Sequence, residues 1–119
     1  MVGHLTGRVL LQRDGYEVDF DAIVEGAKQY HVVLEFNANP HRRDLDWRRL
    51  KQVQDAGVMI SVNPDAHSTL GLACSFTSLP IARKGWLRRE SVLNALDLPG
   101  VMAFFEAQRA LKIAQCVAS

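Results

Sequence analysis

The sequence predicts an α/β fold with parallel strands, and three observations lead there. Short apolar, β-branched runs at residues 32–36 and 58–62 read as buried strands. A third candidate strand ends at Met1-Val2-Gly3-His4, so strands recur about every 26 to 30 residues. Amphipathic stretches with helix-start and helix-stop signals fill the intervals. Strand, helix, strand, helix, strand is the rhythm of βα units.

His4 closes the first strand and Gly7-Arg8 follows it. Phe20, Ile23, Val24, Ala27 and Tyr30 then fall at helical spacing, with Asp19 or Asp21 as cap. Val32 to Phe36 forms the second strand; Glu35 points away from Leu34 and Phe36, and His31 lies at the wrong end for a site. Asn37-Ala38-Asn39-Pro40 leaves that strand at the same end as His4, and both asparagine amides are candidate lining groups there. Asp44 or Asp46 caps the second helix, Trp47, Leu50 and Val53 face the sheet, and Gly57 stops it. Val58 to Val62 is the third strand, followed at once by Asn63-Pro64-Asp65-Ala66-His67-Ser68.

That loop carries the chemistry. A polar cluster after a buried strand sits at the carboxyl end of a sheet or barrel, where α/β folds place their sites. Asp65 and His67 offer a carboxylate and an imidazole two residues apart, a pair suited to zinc or manganese, although Asp65 capping the next helix is an equally simple use of the same turn. Beyond it the reading is of partial helix over 70–81, interrupted by Pro80, then a turn at Gly85. A short helix over 89–96 closes at Leu98-Pro99-Gly100, and a last amphipathic helix of about 12 to 15 residues contains Val101, Phe104, Phe105 and Leu111.

Composition narrows the partners. With 48% apolar residues and a net charge of +1, the chain reads as one ordinary soluble domain without a global attraction to nucleic acid. Local basic groups would have to make any DNA contact: Arg8, Arg42 and Arg43 are the candidates for phosphate, with Arg48, Arg49 and Lys51 extending the basic surface. Cys74 and Cys116 have no metal-ligand spacing and read as free thiols in a cytoplasmic protein. No apolar run approaches a membrane span.

Four segments carry a family resemblance: His4-Leu5-Thr6-Gly7-Arg8; Leu34 to Pro40 with Asp44-Leu45-Asp46-Trp47; Asn63 to Ser68; and Ile81 to Leu87. Together, in order, over residues 1 to 105, they resemble the C-terminal part of the PHP (polymerase and histidinol phosphatase) domain of bacterial family X DNA polymerases. The resemblance implies a metal-dependent phosphoesterase, a 3′–5′ DNA exonuclease, and a chain that holds the last three βα units of a distorted seven-stranded (β/α) barrel. It implies His4, Asp65 and His67 as metal ligands, manganese or zinc as cofactor, and DNA or another phosphoester as substrate. Leu5 stands where the family has proline, and His41 where it more often has an aromatic residue.

Such a site gathers about nine ligands around two or three metals, which activate water and bridge phosphate oxygens. Only three map here, and the opening His-x-His is absent. The chain alone is therefore expected to be inactive. The alternative is a non-catalytic half-barrel that self-associates or complements a separate piece, or a truncated remnant. Self-association is expected because Val2, Val32, Leu34, Phe36, Val58, Ile60 and Val62 would be uncovered in a three-stranded sheet.

Overall fold

The computed structural model describes residues 1–117. Two strands, β1 (Leu34–Asn37) and β2 (Ile60–Asn63), pair in parallel with Leu34 opposite Ile60, Glu35 opposite Ser61, Phe36 opposite Val62 and Asn37 opposite Asn63. Single parallel bridges extend the pair on both sides, Val2 to Leu34 and Val92 to Ile60. The expected first strand is thus one bridge, held by Val2 N–H donating to Val33 O and Glu35 N–H donating to Val2 O, both at 2.9 Å. The fold class is α/β, as expected.

The first two helices form where the sequence places them. Helix α1 (Phe20–Gln29) is capped by Asp19, whose carboxylate accepts from Ala22 N–H. It buries Phe20, Val24 and Ala27. Helix α2 (Trp47–Asp55) is capped by Asp46, which accepts from the N–H groups of Arg48 and Arg49. Leu50 and Val53 are buried, whereas Trp47 stays half-buried with Arg48 and Lys84 stacked at 4.6 and 5.1 Å from its ring. Gly57, at φ +77°, takes the left-handed turn after α2.

All the apolar residues of β1 and β2 face these helices. Leu34, Phe36, Ile60 and Val62 join Phe20, Val24, Leu50 and Val53 in one core. This overturns the premise of exposed strand faces: Leu34, Phe36, Val58, Ile60 and Val62 are all buried, Val32 packs against the core, and only Val2 of the seven is exposed. A two-residue period sends alternate side chains to opposite faces, so the apolar set shares one face and the helices cover it.

Past β2 the chain turns through a 3₁₀ segment (Leu70–Ala73) into short helices α3 (Cys74–Thr77) and α4 (Leu79–Lys84). Pro80 does not interrupt a helix; it sits in the first turn of α4, where its missing N–H costs nothing. The expected helix over 89–96 is two 3₁₀ turns, Arg89–Ser91 and Leu93–Ala95, parted by the bridging Val92. Leu98-Pro99-Gly100 opens the last helix rather than closing the one before. Helix α5 runs Leu98–Val117, longer than expected, because Asp97 caps it by accepting from Gly100 N–H at 2.9 Å. No described helix is long and apolar enough to cross a membrane, and Cys74 and Cys116 are free thiols.

Candidate functional site

The face of the sheet turned away from the helices is polar. Glu35 and Asn37 on β1 lie beside Ser61 and Asn63 on β2, and this register follows from the parallel pairing. The side chains bond one another. Asn63 Nδ2 donates to Glu35 Oε1 at 3.0 Å, and Ser61 Oγ donates to Asn63 Oδ1 at 2.9 Å. Asn94 Oδ1 accepts from Val62 N–H at 2.7 Å and ties this face to the C-terminal turns. Glu35 Oε2 accepts the backbone N–H of His4 at 2.9 Å, which fixes the loop leaving Val2. Gly3 lies so close to that carboxylate that a Cβ would approach Oε2 to 2.9 Å.

Asn37 is the hub. It is completely buried, and its Oδ1 accepts Asn39 N–H at 3.0 Å. Its Nδ2 lies 3.4 Å from His4 Nδ1 and donates to Asp65 Oδ2 at 3.3 Å. One amide therefore holds the end of the first segment, the end of β1 and the loop after β2 in register. Asn39 Oδ1 accepts from His41 N–H at 2.9 Å, which shapes the following turn and leaves His41 as a loop residue.

Asp65 is half-buried and forms an ion pair with Arg42, Nε to Oδ2 at 3.3 Å. His67 is exposed, and its Nδ1 lies 2.8 Å from the carbonyl of Asp65 in its own loop. His4 is also exposed yet anchored through its backbone and ring nitrogen. His4 and Asp65 thus meet at one amide, while His67 bonds within its loop. Among the described residues no three His, Cys, Asp or Glu side chains gather as a metal ion requires. As arranged, the donors do not fit a metal, because Asp65 already faces a guanidinium and an amide and His67 Nδ1 faces a carbonyl.

The basic candidates divide. Arg8 Nε donates to Arg42 O at 2.9 Å and its Nη2 donates to Arg43 O, so this guanidinium braces the 42–43 turn rather than waiting for phosphate. Arg42 is the one of the three that reaches the cluster. Arg43 has a buried Nε without a hydrogen-bond partner among the described residues. Asp44, read as a possible helix cap, instead accepts Thr6 N–H at 3.0 Å. A cleft of about 540 Å³ lies beside it, lined by Thr6, Arg13, Tyr16, Asp44, Asp46 and Arg49 among others, and takes in none of His4, Asn37, Asp65 or His67. Gly7, between two of the lining residues, sits at φ +62° with the Tyr16 hydroxyl where a Cβ would be, so a side chain there would be strained and would have to displace Tyr16.

Sequence reasoning passed over Glu35 and Asn63 as working parts of this face. The alternation of Glu35 with Leu34 and Phe36 was the available signal for one. Asn63 needed the strand register.

Parallel strands covered by helices on one face, with polar loops clustered at their carboxyl ends, define an α/β domain of the kind that places a site at the strand ends. Comparison with known proteins gives the lineage. No family model matches the chain. It is 41% identical over 106 residues, 89% of its length, to the DNA polymerase/3′-5′ exonuclease PolX of Bacillus subtilis (strain 168), and it spans 19% of that protein. This match supports what the four motifs indicate: the chain is similar to the C-terminal part of the PHP domain of bacterial family X DNA polymerases.

Proposed function

We propose that this chain supplies one wall of a metal-dependent phosphoesterase site of the 3′–5′ DNA exonuclease type, and that it does not cleave DNA by itself. In this reading it forms the last three βα units of a seven-stranded (β/α) barrel. His4, Asp65 and His67 contribute to a site completed by residues outside the chain. The divalent metal of that class, manganese or zinc, would be held by the completed site, where these three residues would join ligands from outside the chain. The observation that carries the reading is the buried Asn37 amide facing both His4 and Asp65. A turn of no consequence has no reason to bury an amide between an imidazole and a carboxylate from distant segments.

In this reading the chain's own residues position and hold. Glu35 fixes the His4 loop, Asn37 sets the spacing of His4 and Asp65, and Arg42 balances the Asp65 carboxylate until other groups approach. Arg8 keeps the 42–43 turn in place. DNA or a related phosphoester is the partner of the completed site.

A graft tests this. The matching stretch of the Bacillus subtilis relative is replaced by this chain, and polymerase and exonuclease activities are assayed side by side. The graft is expected to retain exonuclease activity and to lose it on Asp65→Ala, with polymerase activity unchanged as the folding control. A folded, polymerase-active graft without exonuclease activity would overturn the reading.

A further inference from the structure

Helix α5 has 13 aliphatic, aromatic, methionine or cysteine side chains among its 20 residues, yet none of its residues is buried. A helix this apolar in water is normally covered. Its inner side rests lightly on the body. Val101, Phe104 and Gln108 are half-buried, Gln108 Nε2 donates to His31 O, and Gln115 Nε2 donates to Gln29 O at 3.3 Å. Those contacts pin one side of the helix to the body and aim the other at solvent.

The solvent side has a pattern. Leu98, Met102, Glu106, Arg109, Ile113 and Val117 fall on one stripe, and all six are exposed; Leu98 and Val117 are 73% and 82% exposed. Their spacing is 4, 4, 3, 4, 4, close to the helical turn of 3.6 residues, so the six share one face of the helix. It reads the same from either end about a point between Ala107 and Gln108. Under a two-fold axis there, an antiparallel copy sets Leu98 against Val117 of the second copy and Met102 against Ile113 of the second copy. Glu106 then meets Arg109 of the second copy, twice. Apolar residues occupy both ends of the seam and opposite charges occupy its centre.

We propose that the outer stripe of α5 is the interface of an antiparallel homodimer of this chain. A second copy is the occupant because the stripe is complementary to itself, as a two-fold interface must be. The central charges choose the orientation: a parallel pair would set Glu106 against Glu106 and Arg109 against Arg109, which like-charge repulsion disfavours. Since the anchored side of α5 lies opposite the stripe, the two bodies fall on the outer flanks of the helix pair. This surface is separate from the sheet edge and from the His4–Asp65 cluster, so the inference stands apart from the proposed function.

Sedimentation equilibrium at micromolar concentration tests it, with reductant present so that the exposed Cys116 cannot cross-link. The wild-type chain is expected to be a reversible dimer. Glu106→Arg and Arg109→Glu should each weaken the dimer by about tenfold or more, and the double exchange should restore it. All four proteins should show the same circular dichroism spectrum and each should melt cooperatively, because both positions are exposed; the single reversals should melt somewhat lower only where the wild type is dimeric. A monomeric wild type, a dimer indifferent to both single reversals, or a double exchange that stays monomeric would each overturn the proposal.

Discussion

The two faces of the β1–β2 pair are both largely buried, but by different means. On one face Leu34, Phe36, Ile60 and Val62 pack against α1 and α2 with 8% exposure or less, and their stability comes from removing apolar surface from water and from close packing. On the other, Glu35, Asn37, Ser61 and Asn63 pair chiefly with each other and with loop groups. The apolar face is closed by the chain's own helices and has little left to offer a partner. The polar face is held by hydrogen bonds whose net worth is modest and whose partners can change. Scaffold and site are therefore back to back on the same eight residues.

Substitutions should separate the two faces. The largest effect is expected for Phe36→Ala, which empties a fully buried aromatic site and should cost about 3 to 5 kcal/mol by chemical denaturation. For a domain with about 5 to 15 kcal/mol of net stability, that approaches unfolding. Asn37→Ala on the opposite face should cost about 1 to 3 kcal/mol, since it leaves Asn39 N–H and Asp65 short of a partner. Its clearer signature is loss of the His4–Asp65 register, seen as a shift of the His4 imidazole signals in an NMR spectrum of a folded protein. Asp46→Ala removes the cap of α2 and should cost about 1 kcal/mol. Smallest of all, Lys51→Ala breaks the exposed pair with Asp55 and should move stability by about 0.5 kcal/mol or less. If Asn37→Ala proves as costly as Phe36→Ala, the polar face is as much scaffold as the apolar one and the contrast fails.

How far the sequence could be read follows from the same division. Period-2 alternation and capping residues are local, so α1 and α2 were legible almost to the residue and β1 to within two residues. The sequence placed His4, Asp65 and His67 together with Asn37 as a lining group, because strand ends share a side; the structure joins His4, Asn37 and Asp65 and leaves His67 bonded within its own loop. What fails locally is anything that depends on a distant partner. Asp44 looks like a cap, but Thr6, 38 residues away, takes it. Arg8 looks free, but the carbonyls of the 42–43 turn occupy it. Leu98-Pro99-Gly100 reads equally well as an ending or a beginning, and the Asp97 carboxylate decides for a beginning. The expected exposure of strand side chains came from placing them on an uncovered interior face of a barrel, when alternation already assigned their apolar residues to the helix side.

The proposed function holds that the site is incomplete within this chain. Incubation of the purified chain with a 3′-labelled single strand and manganese tests that directly. The account predicts no degradation of the strand, from the wild type and from Asp65→Ala alike, because Asp65 faces Arg42 and Asn37 and no third ligand joins it and His4 among the described residues. Degradation by the wild type that disappears in Asp65→Ala would contradict it and show that this chain alone assembles a working site.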